Sequence, residues 1–519
     1  MYIAPGRPVN CADRPFESGT GGQEIGVDTS TGPTGIDVET RVRRPILVWF
    51  RRDLRLADNP AWNAAASSGR PVIPVYILDE RSRPMGSASR WWLHGSLREL
   101  NVALRYVGSR LILYPGPASE AIAELVQDTG ASAVLWNRLY DPALVMRDER
   151  IEAQLADAGI ATKTFNASLL FEPWTLSTGA GTPFKVFTAF WRRCSGLDIE
   201  RPGATPPVPA APTTWPHSDG LHRWGLRPRR PDWADGIRSV WQPGESGATI
   251  RLRSFLQHGI DRYHRQRDRP GQAATSRLSP HLHFGEIGPR QVVAALERGA
   301  PGPGRDAFLR ELGWREFSHH LLFHHPEMGA ANLRPEYDRM PWRNEPAELE
   351  RWQRGRTGYP LVDAGMRELW ATGWMHNRAR MVAASFLTRH LLIDWREGAA
   401  WFWDTLVDAD WANNSAGWQW VAGCGVDAAP WFRIFNPVTQ SRRFDPAGSY
   451  LRTWLPELRR LPDRHVHAPW QTPLSVLSRA GIRLGRTYPY PMVDLDRGRQ
   501  RALQAWRTRV RGSGRAPVR

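Results

Sequence analysis

The first half of the chain alternates short apolar runs with longer amphipathic segments. The apolar runs read PILVWFR (45–51), PVIPVYIL (71–78), RLILYPG (110–116), SAVLWNR (132–138) and ATKTFN (161–166). Between them lie helix-like stretches such as LHGSLRELNVALRYVG and MRDERIEAQLADAG. Strands that alternate with helices favour a parallel sheet that is covered by helices on both faces. We therefore predict an α/β domain over residues 45–176.

Beyond residue 247 the apolar positions recur at the spacing of helices. The clearest segments read ATIRLRSFLQHGIDRYHRQRDR, RQVVAALERG, AFLRELGWREFSHHLLFHH and LVDAGMRELW. Between the two halves, residues 177–247 are rich in Pro, Gly and Trp, which predicts a long interdomain connection laid over the surface. The predicted fold is an α/β N-terminal domain with a parallel, Rossmann-like sheet, joined by this linker to an all-α domain over residues 248–495.

The two ends of the chain differ from both domains. Residues 1–44 are rich in Gly, Thr, Pro and Asp without an apolar period, so we expect a disordered extension there. A translation start later than Met1 is the alternative for part of this segment. Residues 496–519 form a basic tail that ends RVRGSGRAPVR.

Length and charge point to several domains and a polyanionic partner. A chain of 519 residues is longer than one hydrophobic core usually supports. Its net charge of +17 favours nucleic acid as a ligand. Lys163 and Lys185 are the only lysines among 69 basic residues, so a coding preference for arginine is an alternative cause of the charge. Both explanations can hold, because guanidinium groups suit phosphate contact.

Cysteine use and hydropathy bear on location. Cys11, Cys194 and Cys424 are odd in number and far apart, which is typical of a reduced, intracellular protein. No run of about 18 apolar residues occurs, and the N-terminus lacks a basic-then-apolar signal pattern. We expect a cytoplasmic protein with no membrane partner, and we take a monomer as the default.

The densest run of tryptophan lies at residues 359–436, where polar side chains interrupt apolar helix faces. The polar positions are Asn377, Arg378, Arg380, Asp408, Asp410, Asn413, Asn414 and Gln419. Polar groups in so aromatic a setting need partners. A bound polar cofactor would supply them.

Several strings of this stretch closely resemble the flavin-binding core of the photolyase/cryptochrome family. They read WMHNRARM, IDWREG, DADWANNSAGWQW and DAAPWFRIFNP, and TSRLSPHLHFGEIGPRQ and ELGWREF precede them in the family's order. The resemblance spans roughly residues 45–495 and is strongest to the members that split cyclobutane pyrimidine dimers. It implies that the helical domain binds FAD and DNA and that residues 45–176 form an antenna domain.

The resemblance assigns two groups of residues to FAD. The first group would hold the phosphates and comprises Tyr263, Thr275, Ser276, Arg277, Leu278 and Ser279. A Thr-Ser hydroxyl pair before a helix start offers donors to a pyrophosphate, although the pattern alone is an ordinary helix cap. The second group surrounds the flavin ring or its mouth and comprises Trp314, Asn377, Arg380, Asp408, Asp410 and Asn414.

Two positions of the second group carry specific expectations. Asn414 would face the reactive central nitrogen of the flavin, where an amide can donate or accept. Asp408 and Arg380 would form a buried ion pair beside the ring, because an unpaired carboxylate there would be costly.

The resemblance also implies a pocket for a flipped-out pyrimidine dimer, formed by Glu311, Trp314, Asn377, Met381 and Trp420. Two indoles can stack on the fused pyrimidines while Glu311 and Asn377 reach their polar edges. Photolyases for the (6-4) lesion carry histidines at the positions of Asn377 and Met381, so the residues present point to cyclobutane dimers. We take Glu311, Asn377, Met381 and Asn414 as the catalytic residues. Any single tryptophan here is as readily explained as core.

Three indoles match the route by which family members carry an electron from the surface to the flavin, namely Trp342, Trp395 and Trp418. Indole is readily oxidised, so closely spaced rings can pass an electron inward. Other tryptophans of the stretch are assigned to packing, namely Trp401, Trp403 and Trp411.

Basic residues cluster just before the phosphate-binding string, at Arg251, Arg253, Arg262, Arg265, Arg267 and Arg269. Arg267 and Arg433 match DNA-facing positions of the family. We expect the protein to bind UV-damaged single- or double-stranded DNA by its phosphates and lesion shape, with an affinity that falls steeply with salt. A solvated basic helix face is the alternative.

The identity of a second chromophore is judged from the binding residues that the first domain lacks. The first domain has no GxGxxG, so a dinucleotide site is poorly supported there. The Asn-Glu pair of folate-binding members would fall near Ala143 and Leu144, where neither residue occurs. This weakens the folate assignment and leaves a deazaflavin, another flavin or no antenna.

HHLLFHH at residues 319–325 lacks a carboxylate or cysteine at metal-binding spacing, so we expect ordinary helix histidines and no metal.

The implied activity is light-driven DNA repair, in which an electron from excited, reduced FAD splits the dimer into intact pyrimidines, a carbon-carbon lyase reaction. No serine, cysteine or metal nucleophile is needed. A cryptochrome-like photoreceptor would share the flavin domain, but its usual long C-terminal extension is not matched by the short segment after Asp494. A non-photochemical flavoprotein would not need the lesion-pocket residues.

Overall fold

The computed structural model describes residues 44–82, 84–427 and 433–510. Its first part is built on a parallel sheet whose strands are β1 (Ile46–Phe50), β2 (Val72–Leu78), β3 (Ile112–Pro115), β4 (Ala133–Asn137) and β5 (Ala161–Phe165). The strand order is β3-β2-β1-β4-β5, and Ile46 lies opposite Val72 on one side and Ala133 on the other. Strands β1 and β4 are buried along their whole length, as expected for strands covered on both faces.

Four helices cover the two faces of this sheet: α1 (Pro60–Ala66), α2 (Ser87–Tyr106), α3 (Ala118–Thr129) and α4 (Pro142–Asp157). Successive side chains of β1 point to opposite faces. Val48 therefore packs with Trp62 and Trp92 of α1 and α2, whereas Trp49 packs in the core that Ile122 and Ile151 of α3 and α4 enter. The predicted α/β fold of this part is confirmed.

The segment between the two parts carries α5 (Phe187–Cys194) and α6 (Asp235–Val240). It packs against both of them. Phe190 lies in one apolar cluster with Phe317 from the second part, and Trp241 enters the cluster that covers one face of the sheet. The linker is thus held in place by its apolar side chains.

The second part is helical. Its α-helices are α7 (Glu245–His258), α8 (Tyr263–Gln266), α9 (Ser279–His283), α10 (Pro289–Glu297), α11 (Pro303–His324), α12 (Pro346–Gln353), α13 (Pro360–Thr372), α14 (Asn377–Ser385), α15 (Trp395–Thr405), α16 (Trp411–Ala422), α17 (Pro437–Phe444), α18 (Ser449–Trp454), α19 (Asp463–Val466), α20 (Leu474–Arg479) and α21 (Leu495–Ala505). Helix α14 continues into a π-helix, Phe386–Leu391, and α21 into another, Trp506–Val510.

The predicted boundaries at the two ends of the chain compare differently with the structure. Apart from Arg44, the expected disordered extension lies outside the described residues. At the other end, helical packing continues past residue 495, where the sequence divides domain from basic tail, because Ala502 and Ala505 of α21 are buried in the largest apolar cluster. Over the ranges that the structure describes, no helix has the length and apolarity required to cross a bilayer.

Candidate functional site

The predicted phosphate-binding string forms the entrance to α9. Arg277 has a φ of +51°, in the left-handed region that non-glycine residues rarely adopt. Ser276 Oγ accepts a hydrogen bond from the Leu278 backbone N–H at 3.4 Å, and Ser279 Oγ accepts one from Trp374 Nε1 at 3.2 Å. Because each serine oxygen accepts from the protein, each hydroxyl keeps a proton to donate. These donors suit a phosphate.

Two other members of the phosphate group differ in burial. Tyr263 begins α8 and is buried, with its ring edge-on to Phe255 at 5.5 Å and to Phe308 at 5.3 Å. Burial raises the pKa of its phenol. Thr275 is half-buried and keeps partial access to solvent.

Trp374 joins the phosphate string to α14. The Arg277 guanidinium lies 4.7 Å from the centre of its ring, and the Arg380 guanidinium lies 5.8 Å from it. An indole face attracts cations, so one ring orients two arginines of the site. The sequence analysis included Trp374 only as a letter of the WMHNRARM string and gave it no role.

A buried carboxylate, Glu368, supports the same region from α13. It accepts hydrogen bonds from the His376 backbone N–H at 3.0 Å and from the Tyr450 hydroxyl at 2.7 Å, and it lies 3.9 Å from Arg277. Burial raises the pKa of Glu368, while these donors oppose that shift. The sequence analysis missed this residue, since Tyr450 and Arg277 are far from it along the chain.

Arg380 and Asp408 form the predicted ion pair. The guanidinium Nη2 meets both carboxylate oxygens, at 2.8 and 3.1 Å, and Nε donates to the Met375 carbonyl at 2.7 Å. The Asp408 side chain is only 3% exposed. The pair links the start of α14 to the loop before α16, and it fixes both elements relative to each other.

Asp410 caps α16 and so orients the helix that carries Asn414. Its carboxylate accepts from the Asn413 backbone N–H at 2.9 Å and lies 3.5 Å from His283 and 3.8 Å from His319. Burial lowers the pKa of His319 to about 4. Although burial alone would raise the pKa of Asp410, the two histidines hold it well below its usual range. The Asn414 amide donates to the Ala399 carbonyl at 3.0 Å.

The Asp410 carboxylate faces a cavity between the carboxyl ends of β1, β4 and β5 and the helical part. Arg52, Tyr140, Ser168 and Arg315 are among its other lining residues. Its volume of about 30 Å³ holds one or two water molecules. Sites for drug-sized ligands take roughly 300–1,000 Å³, so this cavity does not fit a second chromophore.

Two predicted lesion-pocket residues share one face of α11. Glu311 and Trp314 are three positions apart, a spacing that makes helix residues neighbours. The Glu311 carboxylate forms an ion pair with Arg267. The Trp314 ring stacks on Phe187, with the ring centres 3.8 Å apart and the planes 9° from parallel. Phe187 comes from the linker, and the sequence analysis did not associate it with the site.

The other lesion-pocket residues lie on α14 and α16. Asn377 is exposed and half-buried Met381 is one turn away, with the amide nitrogen 3.8 Å from the sulfur. Arg378, next to Asn377, forms an ion pair with Asp268 at 2.9 Å. Trp420 is partly buried and packs against the largest apolar cluster.

The three tryptophans of the expected electron route enter one apolar cluster. Trp395 and Trp418 are buried members and Trp342 packs at its margin. Trp395 Nε1 donates to Asn332 Oδ1 at 2.9 Å. Trp418 lies edge-on to Phe402, with ring centres 5.0 Å apart. The structure brings the three indoles into the same core. Within the described residues, none of the three rings stacks directly on another.

One member of the predicted arginine cluster, Arg251, packs against a tryptophan in the structure. Arg251 lies over the Trp241 ring at 4.3 Å and donates to the Val240 carbonyl at 2.6 Å, and burial lowers its pKa to about 10. Arg251 is therefore half-buried, and its guanidinium is already engaged by the protein. The exposed members are Arg253, Arg262, Arg265 and Arg269, and Arg433 is also exposed.

In the histidine run at residues 319–325, His319 faces Asp410 and His320 packs against the linker. His320 Nε2 accepts from the Phe184 backbone N–H at 3.0 Å, and its ring lies 5.2 Å from Phe190. Across residues 44–82, 84–427 and 433–510, no group of three or more His, Cys, Asp or Glu side chains is arranged to hold a metal ion.

Comparison with known proteins matches both parts of the chain. Residues 46–212 match the family model described as DNA photolyase, and residues 308–508 match the model described as FAD binding domain of DNA photolyase. The deoxyribodipyrimidine photo-lyase of Agrobacterium fabrum is 48% identical over 466 residues, covering 89% of this chain and 97% of that protein.

Two further comparisons bear on the fold and on the alternative family branch. Cryptochrome-1 of Arabidopsis thaliana is 41% identical over 479 residues, covering 88% of this chain and 70% of that protein. The crystal structure of a bacterial class III photolyase from Agrobacterium tumefaciens superposes with a TM-score of 0.89 at 46% identity, covering 91% of this chain and 99% of that one.

Proposed function

Because the chain belongs to the DNA photolyase/cryptochrome family, we propose that it is a light-driven DNA repair enzyme, a deoxyribodipyrimidine photo-lyase that splits cyclobutane pyrimidine dimers. The observation that supports the proposal is that consecutive residues pair with both helices of the expected pocket, Arg267 with Glu311 on α11 and Asp268 with Arg378, the neighbour of Asn377, on α14. Carboxylate, amide, thioether and indole together suit a flipped-out dimer. A protein that only transfers electrons needs none of them.

The donor set of the site fits FAD. The hydroxyls of Ser276, Ser279 and Thr275 would hold the phosphates. The backbone would help at the turn where Arg277 adopts its left-handed conformation. Arg380 and Asp408 would flank the flavin ring, with the Asn414 amide near its reactive nitrogen. When bound, FAD supplies the one-electron donor that light excites. The protein holds this donor, excludes water and presents the lesion to it.

The lesion would be recognised by shape and by its polar edges. Trp314, already rigid on Phe187, and Trp420 would stack on the fused pyrimidines. The Glu311 carboxylate and the Asn377 amide would take the edge N–H and carbonyl groups. Arg267 and Arg433, with the exposed arginines of the cluster, would contact phosphates on single- or double-stranded DNA.

The supply of electrons and the domain roles extend this proposal. We infer that Trp342, Trp395 and Trp418 return the flavin to its reduced state, which their common cluster supports. Residues 45–176 would be the antenna domain, 177–247 the linker and 248–495 the FAD- and DNA-binding domain. The second chromophore remains a folate, a deazaflavin or a flavin outside the small interdomain cavity, or none. We propose a cytoplasmic location from the cysteine use, and we take a monomer as the default oligomeric state.

The test is repair of a thymine dimer by flavin-loaded, reduced protein under blue or near-ultraviolet light, with a dark control and a (6-4) substrate alongside. Light-dependent loss of the cyclobutane dimer alone is expected. Glu311→Gln and Asn377→Ala should lower the yield, and Glu350→Gln, an exposed residue of α12, should not. Absence of repair by protein that retains reducible flavin would overturn the proposal and favour a cryptochrome-like photoreceptor.

A further inference from the structure

Two consecutive residues, Arg267 and Asp268, connect two of the helices that carry the proposed lesion pocket, α11 and α14. Arg267 forms an ion pair with Glu311 on α11, and Asp268 forms one with Arg378 on α14 at 2.9 Å. We call these two pairs the ion-pair bridge. Glu311 belongs to the pocket itself, and Arg378 is the neighbour of Asn377. The bridge therefore occupies a pocket carboxylate in the free protein.

The Arg267–Glu311 pair is accessible enough to exchange partners. The side chains are 27% and 29% exposed, and the guanidinium also lies 5.5 Å from the centre of the Tyr263 ring. Pairs with this much solvent contribute little net free energy. A DNA phosphate offers the same guanidinium a charge-assisted, bidentate partner, so it competes on at least equal terms.

We propose that Arg267 exchanges Glu311 for a DNA phosphate, and that the released carboxylate makes the protein select damaged over undamaged DNA. The inference rests on the proposed function. Undamaged DNA draws Arg267 away but offers Glu311 no partner, so a carboxylate is left without its cation beside a polyanion. A flipped-out dimer offers Glu311 the N–H groups of its pyrimidine edges. Glu311 thus acts partly by weakening the wrong complex.

Removal of the Glu311 charge should therefore tighten binding to undamaged DNA. In Glu311→Gln, Arg267 is available to phosphate from the start, and the affinity for undamaged duplex should rise about two- to fivefold, the range for an exposed ion pair. The log-log salt slope should stay nearly the same, because Arg267 contacts a phosphate in both bound complexes. The affinity ratio of dimer-containing to undamaged DNA should fall.

The measurement is fluorescence anisotropy of labelled duplexes titrated in the dark with flavin-loaded protein at several salt concentrations. Arg267→Gln is made in both backgrounds. It should weaken binding to undamaged DNA more in the Glu311→Gln protein than in the native one, because only there is Arg267 not already engaged. Glu350→Gln is the matched control, since Glu350 pairs with Arg354 at 2.8 Å on exposed α12.

The outcomes separate this inference from the proposed function. An unchanged affinity of Glu311→Gln for undamaged DNA, with normal light-driven repair by the native protein, would overturn the exchange alone. Equal tightening by Glu350→Gln would overturn it as well, since the effect would then be one of net charge. A native protein that fails to repair dimers removes the proposed function, and the exchange with it. Should Glu311→Gln lose its flavin, Glu311→Asp takes its place, and purely additive effects of Arg267→Gln and Glu311→Asp on the affinity for undamaged DNA would refute the coupling.

Discussion

The ion pair between Arg380 and Asp408 is unequally buried, so its two halves should respond differently to substitution. The Asp408 side chain is 3% exposed and the Arg380 side chain 24%. Arg380→Gln leaves an unpaired carboxylate in the interior, which should lower the free energy of unfolding by about 3–5 kcal/mol. Asp408→Asn leaves a guanidinium that reaches solvent and still donates to the Met375 carbonyl, so a loss of about 1–2 kcal/mol is expected.

Urea unfolding of the flavin-loaded proteins, followed by tryptophan fluorescence and by flavin release, measures both losses. The double variant R380Q/D408N should be more stable than R380Q, because it no longer buries an unpaired charge. Glu350→Gln removes half of an exposed ion pair and should change stability by less than about 1 kcal/mol. A D408N protein less stable than R380Q, or a double variant no better than R380Q, would refute this reasoning.

Three further predictions concern groups around the site. Burial raises the pKa of Glu316 from 4.5 to about 7, so its stabilising contribution is complete below pH 4.5 and is lost as the pH rises through about 7. Glu316→Gln should flatten the fall in unfolding free energy across that window, and an equal slope in both proteins would contradict the assignment. Gly398→Ala should destabilise the protein by about 1–3 kcal/mol in calorimetry, because the new Cβ would lie 2.1 Å from the Trp418 ring; an unchanged melting temperature would argue against this packing. Trp418→Phe should slow light-driven reduction of oxidised flavin, measured by absorbance, while chemically reduced protein still repairs dimers; normal photoreduction would remove Trp418 from the electron route.

The α/β part was predictable from sequence because its strands are buried on both faces. A strand in that setting is apolar along its whole length, so composition alone marks β1, β2 and β4. The predicted runs at 45–51 and 132–138 exceed the observed strands Ile46–Phe50 and Ala133–Asn137 by one residue at each end. The local pattern of apolar residues along the sequence was sufficient to locate these strands.

The helical domain followed from the spacing of its apolar residues, whereas parts of the site were accessible through resemblance. The Arg380–Asp408 pair was expected from the family's strings, and the structure brings the two residues together. No periodicity in the sequence would have paired them, since 28 positions separate them along the chain. Their roles toward flavin remain predictions.

Other features depended on contacts between distant segments. Arg251 belongs to a basic cluster in the sequence, yet the fold lays its guanidinium on Trp241 and leaves the residue half-buried. Phe187 lies in a Pro- and Gly-rich linker, yet it stacks on Trp314 and makes that indole rigid. Neither outcome follows from local composition, because each depends on which face meets which neighbour.

The sequence by itself determined the two-part fold, the chemistry of the donors and the family of the chain, because these depend on residue type and on short spacing. Only the tertiary structure decided that Arg267 and Glu311 face each other. Arg267 and Glu311 are 44 positions apart, and nothing in either segment indicates that a phosphate-seeking arginine and a lesion-facing carboxylate are partners. Ion pairing falls off within a few ångströms, so it is determined by the packing of α8 against α11.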